Sequence, residues 1–191
     1  MSFFGLNIKD IYNTDEDSIP KDFYAQVFPK TREYKRAAGF FSSSAFETFG
    51  KSLLSFYENG GNMKLLVSPW FSKEDKEAIE MGYKAQEDLA VQKIVEQFDI
   101  DENTVGFGVN ILAWLIYEKR LEIRIVVRKD KKNRALYHDK FSILVDEDNN
   151  RITYRGSMNE SEQALDENYE TIEVDWSWDV RAGCFEFLSG R

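Results

Sequence analysis

Between Arg36 and Trp176, apolar runs of strand length alternate with amphipathic runs of helix length, and that order restricts the chain to an α/β architecture. Arg36 to Phe41 reads as a short buried strand. Ser42-Ser43-Ser44 then offers helix caps, Phe46, Phe49, Leu53, Leu54 and Tyr57 form a stripe with helical spacing, and Asn59-Gly60-Gly61 ends it. Met63 to Val67 is the next strand. Lys73 to Phe98 reads as one long amphipathic helix or a pair, with Ile79, Tyr83, Val91, Ile94, Val95 and Phe98 inward, and Val109 to Glu118 as a further, almost wholly apolar one. Strands follow at Leu121 to Val127, His138 to Val145 and Glu170 to Trp176, with a short helix over Glu160 to Leu165. An irregular N-terminal segment, residues 1–30, precedes them, with a short helix over Asp22 to Phe28 closed by Pro29. The pattern predicts a single domain over residues 1–191, an α/β sandwich whose mixed sheet is covered by helices on both faces.

The only histidine among 191 residues lies in Tyr137-His138-Asp139-Lys140-Phe141-Ser142-Ile143. Read as a strand, this segment puts His138 and Lys140 on one face and Phe141, Ile143 and Val145 on the other, one side for chemistry and one for the core. An imidazole and an ammonium two residues apart can present a nucleophile and a fixed positive charge to one phosphorus centre. Downstream, Gly156 lets the backbone pass close to a ligand, while Ser157 and Asn159 bring a hydroxyl and an amide able to donate to nonbridging phosphate oxygens. A hairpin end followed by a helix cap would explain the turn residues equally, though not His138 and Lys140.

His-x-Lys followed by Gly-Ser-x-Asn resembles the signature of the phospholipase D superfamily, and most closely its single-motif nucleases, the type found in metal-independent restriction nucleases and at the N-terminus of some helicases. Asn168-Tyr169-Glu170 occupies the place of the Asn-x-Glu that follows the turn in such nucleases, which makes Glu170 the acidic partner near the histidine. The family's aspartate falls five residues after the lysine, where this chain has Val145, with Asp146 one residue later; its usual role is structural. The resemblance implies the same sandwich fold. It also implies that the strand ending at Phe41 runs out near the site, which would bring Ser42 or Ser43 toward the phosphate, although capping explains those serines as well.

Composition narrows the function. A net charge of −9 argues against broad electrostatic attraction to nucleic acid. Arg128-Lys129-Asp130-Lys131-Lys132-Asn133-Arg134 nevertheless places Arg128, Lys131, Lys132 and Arg134 directly before the histidine, as a solvated loop or as a contact to a substrate backbone. Acidic residues gather between Glu74 and Glu102, as solvent-facing surface. One cysteine, Cys184, excludes an internal disulfide and a Cys-based zinc site, so neither metal nor cofactor is expected. No run approaches the length of a membrane span and no basic-then-apolar leader opens the chain, so a cytoplasmic protein without membrane contact is expected. Trp176, Trp178, Phe185 and Phe187 read as core, as an interface, or as a platform for unpaired bases.

The resulting expectation is a metal-independent phosphodiesterase, a nuclease acting on DNA rather than RNA, in which His138 forms a phosphohistidine while Lys140, Ser157 and Asn159 hold the oxygens. The family's two-step displacement uses a second histidine as acid and then base. With one per chain, a homodimer would have to join two copies of His138, or a second motif would lie on a further part of a longer protein of which this is the N-terminal domain. The rival is a non-catalytic dimerisation or nucleic-acid-binding module attached to a helicase or restriction system. Phospholipid hydrolysis lacks support, since no basic amphipathic helix is present.

Overall fold

The computed structural model describes residues 1–127 and 137–178. Its frame is one seven-stranded mixed sheet, in the order β1 (Ile11–Asn13), β7 (Thr171–Trp176), β6 (Arg151–Gly156), β5 (Phe141–Val145), β2 (Glu33–Ala38), β3 (Asn62–Val67), β4 (Leu121–Ile125). β2, β3 and β4 run parallel, and the remaining pairs are antiparallel. Parallel neighbours need crossovers. Ser44–Glu58 (α2) supplies the first, and Lys73–Ala85 (α3), Leu89–Val95 (α4) and Phe107–Tyr117 (α5) supply the second. Ahead of β2, a helical stretch winds as a π-helix over Ile19–Tyr24, an α-turn over Ala25–Val27 (α1) and a 3-10 turn over Phe28–Lys30. A last π-helical turn, Gln163–Glu167, precedes β7.

Successive crossovers of the usual right hand along β2, β3 and β4 must fall on one face of the sheet. The core agrees: alternate strand residues Tyr34, Ala38, Met63, Leu65, Val67, Leu144, Ile152, Tyr154, Ile172 and Val174 pack in one cluster with Phe46, Phe49, Leu53, Phe56, Ile111 and Leu115 of the helices. Among the described residues the helices gather on this face alone. The opposite face carries Lys35, Lys64 and Arg124, paired with Glu33 and Glu122, beside half-buried Phe141 and Ile143.

Helix faces follow close backbone approach more than side-chain size. In α2, Phe56 takes the core position, and the expected Leu54 and Tyr57 pack at its margin. Gly61 makes this possible, because a Cβ there would lie 2.3 Å from the Phe56 ring. The long helix proves to be two, separated at Asp88, whose carboxylate caps α4 by accepting from Ala90 and Val91. Tyr83 and Ile94, expected inward, are 41% and 52% exposed. For Tyr83 the reason is Gly82: a Cβ there would fall 2.6 Å from the Ala113 carbonyl, so α3 meets α5 through Ala78 and Gly82, and Tyr83 turns outward. Asp75, expected on the acidic surface, is buried and accepts from the Ser43 N–H at 3.2 Å. Two strands, β1 and β6, were not anticipated; β1 is only three residues long, and β6 alternates Ile152 and Tyr154 against Thr153 and Arg155.

Asp146 closes the β5–β6 turn, at the end of β5 away from His138. Its carboxylate accepts from Asp148 N, Asn150 N and Asn150 Nδ2 within the turn and from Phe3 N of the N-terminal segment, at 2.8–2.9 Å. This is the structural role expected of the displaced aspartate. Burial pushes its pKa up, but the Asn150 amide and the surrounding N–H groups outweigh that and hold it below the usual carboxylate range. A depressed folded-state pKa stabilises the fold above the unfolded value, about 3.9, and the contribution is lost as pH falls through the lower folded value. Asp146→Asn is therefore expected to cost about 1–3 kcal/mol at neutral pH, and urea unfolding should show the difference from the parent protein shrinking below about pH 4.

Candidate active site

The site forms where the carboxyl ends of β2 and β3 meet the segment before β5 and the connection from β6 to β7, the usual place for a ligand in an open α/β sheet. Gly39, just past β2, is the meeting point. A Cβ on it would lie 3.0 Å from Tyr137 O and 3.4 Å from both His138 Cδ2 and Asn159 Oδ1, so the two halves of the motif pack around a residue with no side chain. Ser68, just past β3, fixes the same segment by donating its hydroxyl to Tyr137 O at 3.2 Å.

His138 and Lys140 precede the strand: β5 begins at Phe141, three residues later than the alternation suggests. The two faces are also reversed from the expectation. Ser142 and Leu144, on the side of Lys140, are fully buried, while Phe141, Ile143 and Val145 are half-buried on the face without described helices. Alternation gives the period of a strand, but only the helices decide which face is covered.

His138 is exposed and Lys140 is 8% exposed. Lys140 Nζ stands 3.2 Å from each imidazole nitrogen and 3.4 Å from His138 O. An ammonium equidistant from both nitrogens sits off the ring plane, not along either lone pair. It supplies positive charge beside the ring without fixing the tautomer. Burial, and next the Arg36 charge, lower the Lys140 pKa, against the opposing pull of Glu170 and Asp139.

The turn after β6 is sterically determined. A Cβ on Gly156 would come within 1.9 Å of Thr171 O, so no other residue fits. Ser157 then pairs with β7: its N–H donates to Thr171 O and its Oγ accepts from Thr171 N, both at 3.1 Å, leaving its hydroxyl proton to donate elsewhere. Asn159 Oδ1 accepts from Phe40 N at 3.1 Å, which turns the amide so that its N–H groups remain as donors. Glu170 is 8% exposed, with its main chain bonded to Thr14. It makes no hydrogen bond to His138 among the described residues and acts on Lys140 through charge. Ser42 Oγ accepts from Ser44 N and Ser44 Oγ just ahead of α2, whose N-cap, Ser43, makes no side-chain capping bond.

Arg128, Lys131, Lys132, Arg134, Cys184, Phe185 and Phe187 lie outside the described residues. Trp176 and Trp178 sit at the opposite end of β7 from Glu170, in an aromatic cluster with Phe3 and Phe4, and do not border the site. Among the described residues, no group of three or more His, Cys, Asp and Glu is placed to hold a metal ion.

Beneath the site lies a charged pair that sequence reading missed. Arg36 and Glu160 have fully buried side chains, with Arg36 Nε donating to Glu160 Oε2 at 2.8 Å. The same guanidinium donates to the Met158 carbonyl, between Ser157 and Asn159, and reaches Ser142 Oγ at 3.5 Å. Its face lies 5.1 Å from the Tyr154 ring centre. Glu160 Oε1 accepts from Tyr34 at 3.0 Å, and the Tyr34, Tyr24 and Tyr154 hydroxyls join one another. Burial drives the Tyr24 and Tyr34 phenols well above their usual pKa, and the Glu160 charge adds to it. Burial alone would lower the arginine, but Tyr154 and Glu160 outweigh it and raise it further. One signal was available: Arg36 stands between Tyr34 and Ala38 on the side of the strand that packs inward.

No protein-family model matches the chain, and no curated protein matches it. Among solved structures, yeast tyrosyl-DNA phosphodiesterase superposes with a TM-score of 0.50 at 9% identity, over 86% of this chain and 31% of its own. The chain shares the fold of the aligned part of that protein, a phospholipase D-like α/β fold as the motif resemblance implied. It spans less than a third of the yeast protein. Nuc from Salmonella typhimurium, a phospholipase D family member, matches at 15% identity over 94% of this chain and 88% of its own, with a TM-score of 0.49. NucT from Helicobacter pylori matches at 14% identity over 94% and 92%, with a TM-score of 0.47.

On this phospholipase D-like frame the turn geometry can be tested by one methyl group. Gly156→Ala forces the Thr171 backbone away and should lower stability by about 1–3 kcal/mol. Thermal unfolding, with an amide NMR shift at Thr171, should register both the loss and the displacement.

Proposed function

We propose that the chain is a phosphodiesterase, a nuclease acting on DNA, that works through a phosphohistidine on His138 in a homodimeric site and needs no metal. What supports the reading most is the convergence at Gly39: a single glycine without a side chain borders both the only imidazole and Asn159, with the Lys140 ammonium against the ring. In the first step a ring nitrogen of His138 attacks phosphorus, and the bond to the leaving oxygen breaks. The nonbridging oxygens are held by Lys140, Asn159 Nδ2 and the Ser157 hydroxyl. The leaving oxygen takes a proton from a second imidazole, contributed by another copy of the chain. That imidazole then accepts a proton from water, which attacks phosphorus and releases His138. The yeast, Salmonella and Helicobacter proteins of like fold include one named for phosphodiester chemistry at DNA, in keeping with this reading.

His138 is exposed and, among the described residues, its ring nitrogens stand within hydrogen-bond range of Lys140 alone, so His138→Ala should abolish hydrolysis of a DNA substrate while shifting stability within about 0.5 kcal/mol. A non-catalytic module would give no hydrolysis in the parent protein either. Mixing the inactive chain with parent chains should remove nearly all turnover from the heterodimers, whereas half-activity per parent chain would show that each subunit works alone.

Hydrolysis should persist in EDTA; loss on chelation with recovery in magnesium or manganese would contradict the side-chain mechanism. The lowered Lys140 pKa sets the direction of the pH profile. Loss of the ammonium should cut the rate on the alkaline side below the pH of an ordinary lysine, about 10.4. Glu170→Gln, which removes a charge that raises Lys140, should move that limb lower still.

A further inference from the structure

Five aromatic side chains are largely exposed among the described residues: Phe4, Phe40, Trp70, Tyr83 and Tyr169. Single exposed aromatics are ordinary. Three of these five, however, lie on three separate segments that each reach the residues of the proposed site. Phe40, 40% exposed, follows Gly39 and gives its N–H to Asn159. Trp70, 51% exposed, lies two residues past Ser68, which holds the carbonyl before His138. Tyr169, 67% exposed, precedes Glu170 and the Thr171 backbone that pairs with Ser157. Each ring is thus close in the chain to a different part of the proposed phosphate site, and the main chain at Phe40 and on either side of Tyr169 is hydrogen-bonded in place.

We infer that Phe40, Trp70 and Tyr169 stack on unpaired bases flanking the scissile phosphate, so that the substrate is single-stranded DNA. The inference rests on the phosphodiesterase reading of the same site. Two physical arguments favour an unpaired strand over a duplex. Bases in a duplex are already stacked on one another and present only their edges in the grooves, so exposed rings have no faces to meet. Duplex binding also draws chiefly on neutralised phosphates, and a chain of net charge −9 is poorly suited to it, whereas stacking on each base contributes about 1–3 kcal/mol without any charge.

Binding to the His138→Ala protein, which stops turnover, can be followed by anisotropy with three labelled probes: oligothymidylate, an abasic tetrahydrofuran oligomer of equal length, and a duplex. Oligothymidylate should bind more tightly than either, and quench Trp70 fluorescence. Trp70→Ala, Tyr169→Ala and Phe40→Leu, each at an exposed position that leaves the fold intact, should weaken oligothymidylate by on the order of tenfold and leave the abasic oligomer unchanged. Equal binding of thymidine and abasic oligomers, a duplex bound as well as the single strand, or variants that bind like their parent would each overturn the inference. If stacking holds but the unmutated chain cleaves no phosphodiester, the catalytic reading fails and the grip stands.

Discussion

The Arg36–Glu160 pair is the interaction on which the site's geometry rests. A guanidinium and a carboxylate removed from water lose several kcal/mol of hydration each, and they are tolerable only where nearly every donor and acceptor finds a partner. Here the partners come from the elements that must be brought together: Tyr34 and Arg36 on β2, Ser142 on β5, Tyr154 on β6, and the carbonyl of Met158 between the two phosphate-binding candidates. The Glu160 backbone completes the link, accepting from Ser42 N and donating to Phe40 O on the strip that carries Gly39. Replacing Glu160 by an apolar residue would leave Arg36 charged and unpaired, at a cost of about 3–5 kcal/mol. The loss would fall first on the turn that holds Ser157 and Asn159.

The pair also explains why Lys140 is a poised cation. Its ammonium is drawn toward neutrality by burial and by the arginine behind it, and toward charge by Glu170 and Asp139. In the reaction proposed above, a lysine in that balance would gain most as negative charge builds on the phosphoryl oxygens, because that charge favours the ammonium. Glu170 therefore has a role at a distance even without a hydrogen bond to His138. Its charge pulls the Lys140 pKa upward, against the burial and the Arg36 charge that lower it.

How far the sequence reveals this depends on range. His138, Lys140, Gly156, Ser157 and Asn159 are close in the chain, and their chemistry is written in residue type and spacing. Much of the parallel half of the sheet was readable for the same reason, since α2 and β3 announce themselves by local period, while β2 runs over Glu33–Ala38, three residues earlier than expected. Arg36 and Glu160 are 124 residues apart, and neither is unusual in its own neighbourhood. The covered face of β5 was misjudged because a period of two is symmetric, and only the packing of α2 and α5 breaks the symmetry. Tyr83 was misplaced because a glycine, silent in any hydrophobic pattern, sets how closely α3 meets α5.

His138 remains the least constrained member of its own site. In-plane hydrogen bonds usually decide which imidazole nitrogen carries the proton, and none holds this ring among the described residues; its lysine lies off the plane. A nucleophile must offer one nitrogen's lone pair along the line of attack, which requires the other nitrogen to be occupied. In the mechanism proposed above, one second copy of the chain across the exposed ring would supply both the imidazole that serves as acid and a partner that orients the first. Assembly would then do more than add a missing group. Under the proposed mechanism it would also select the tautomer, adding both an acid and an orientation to the residues proposed to bind phosphate.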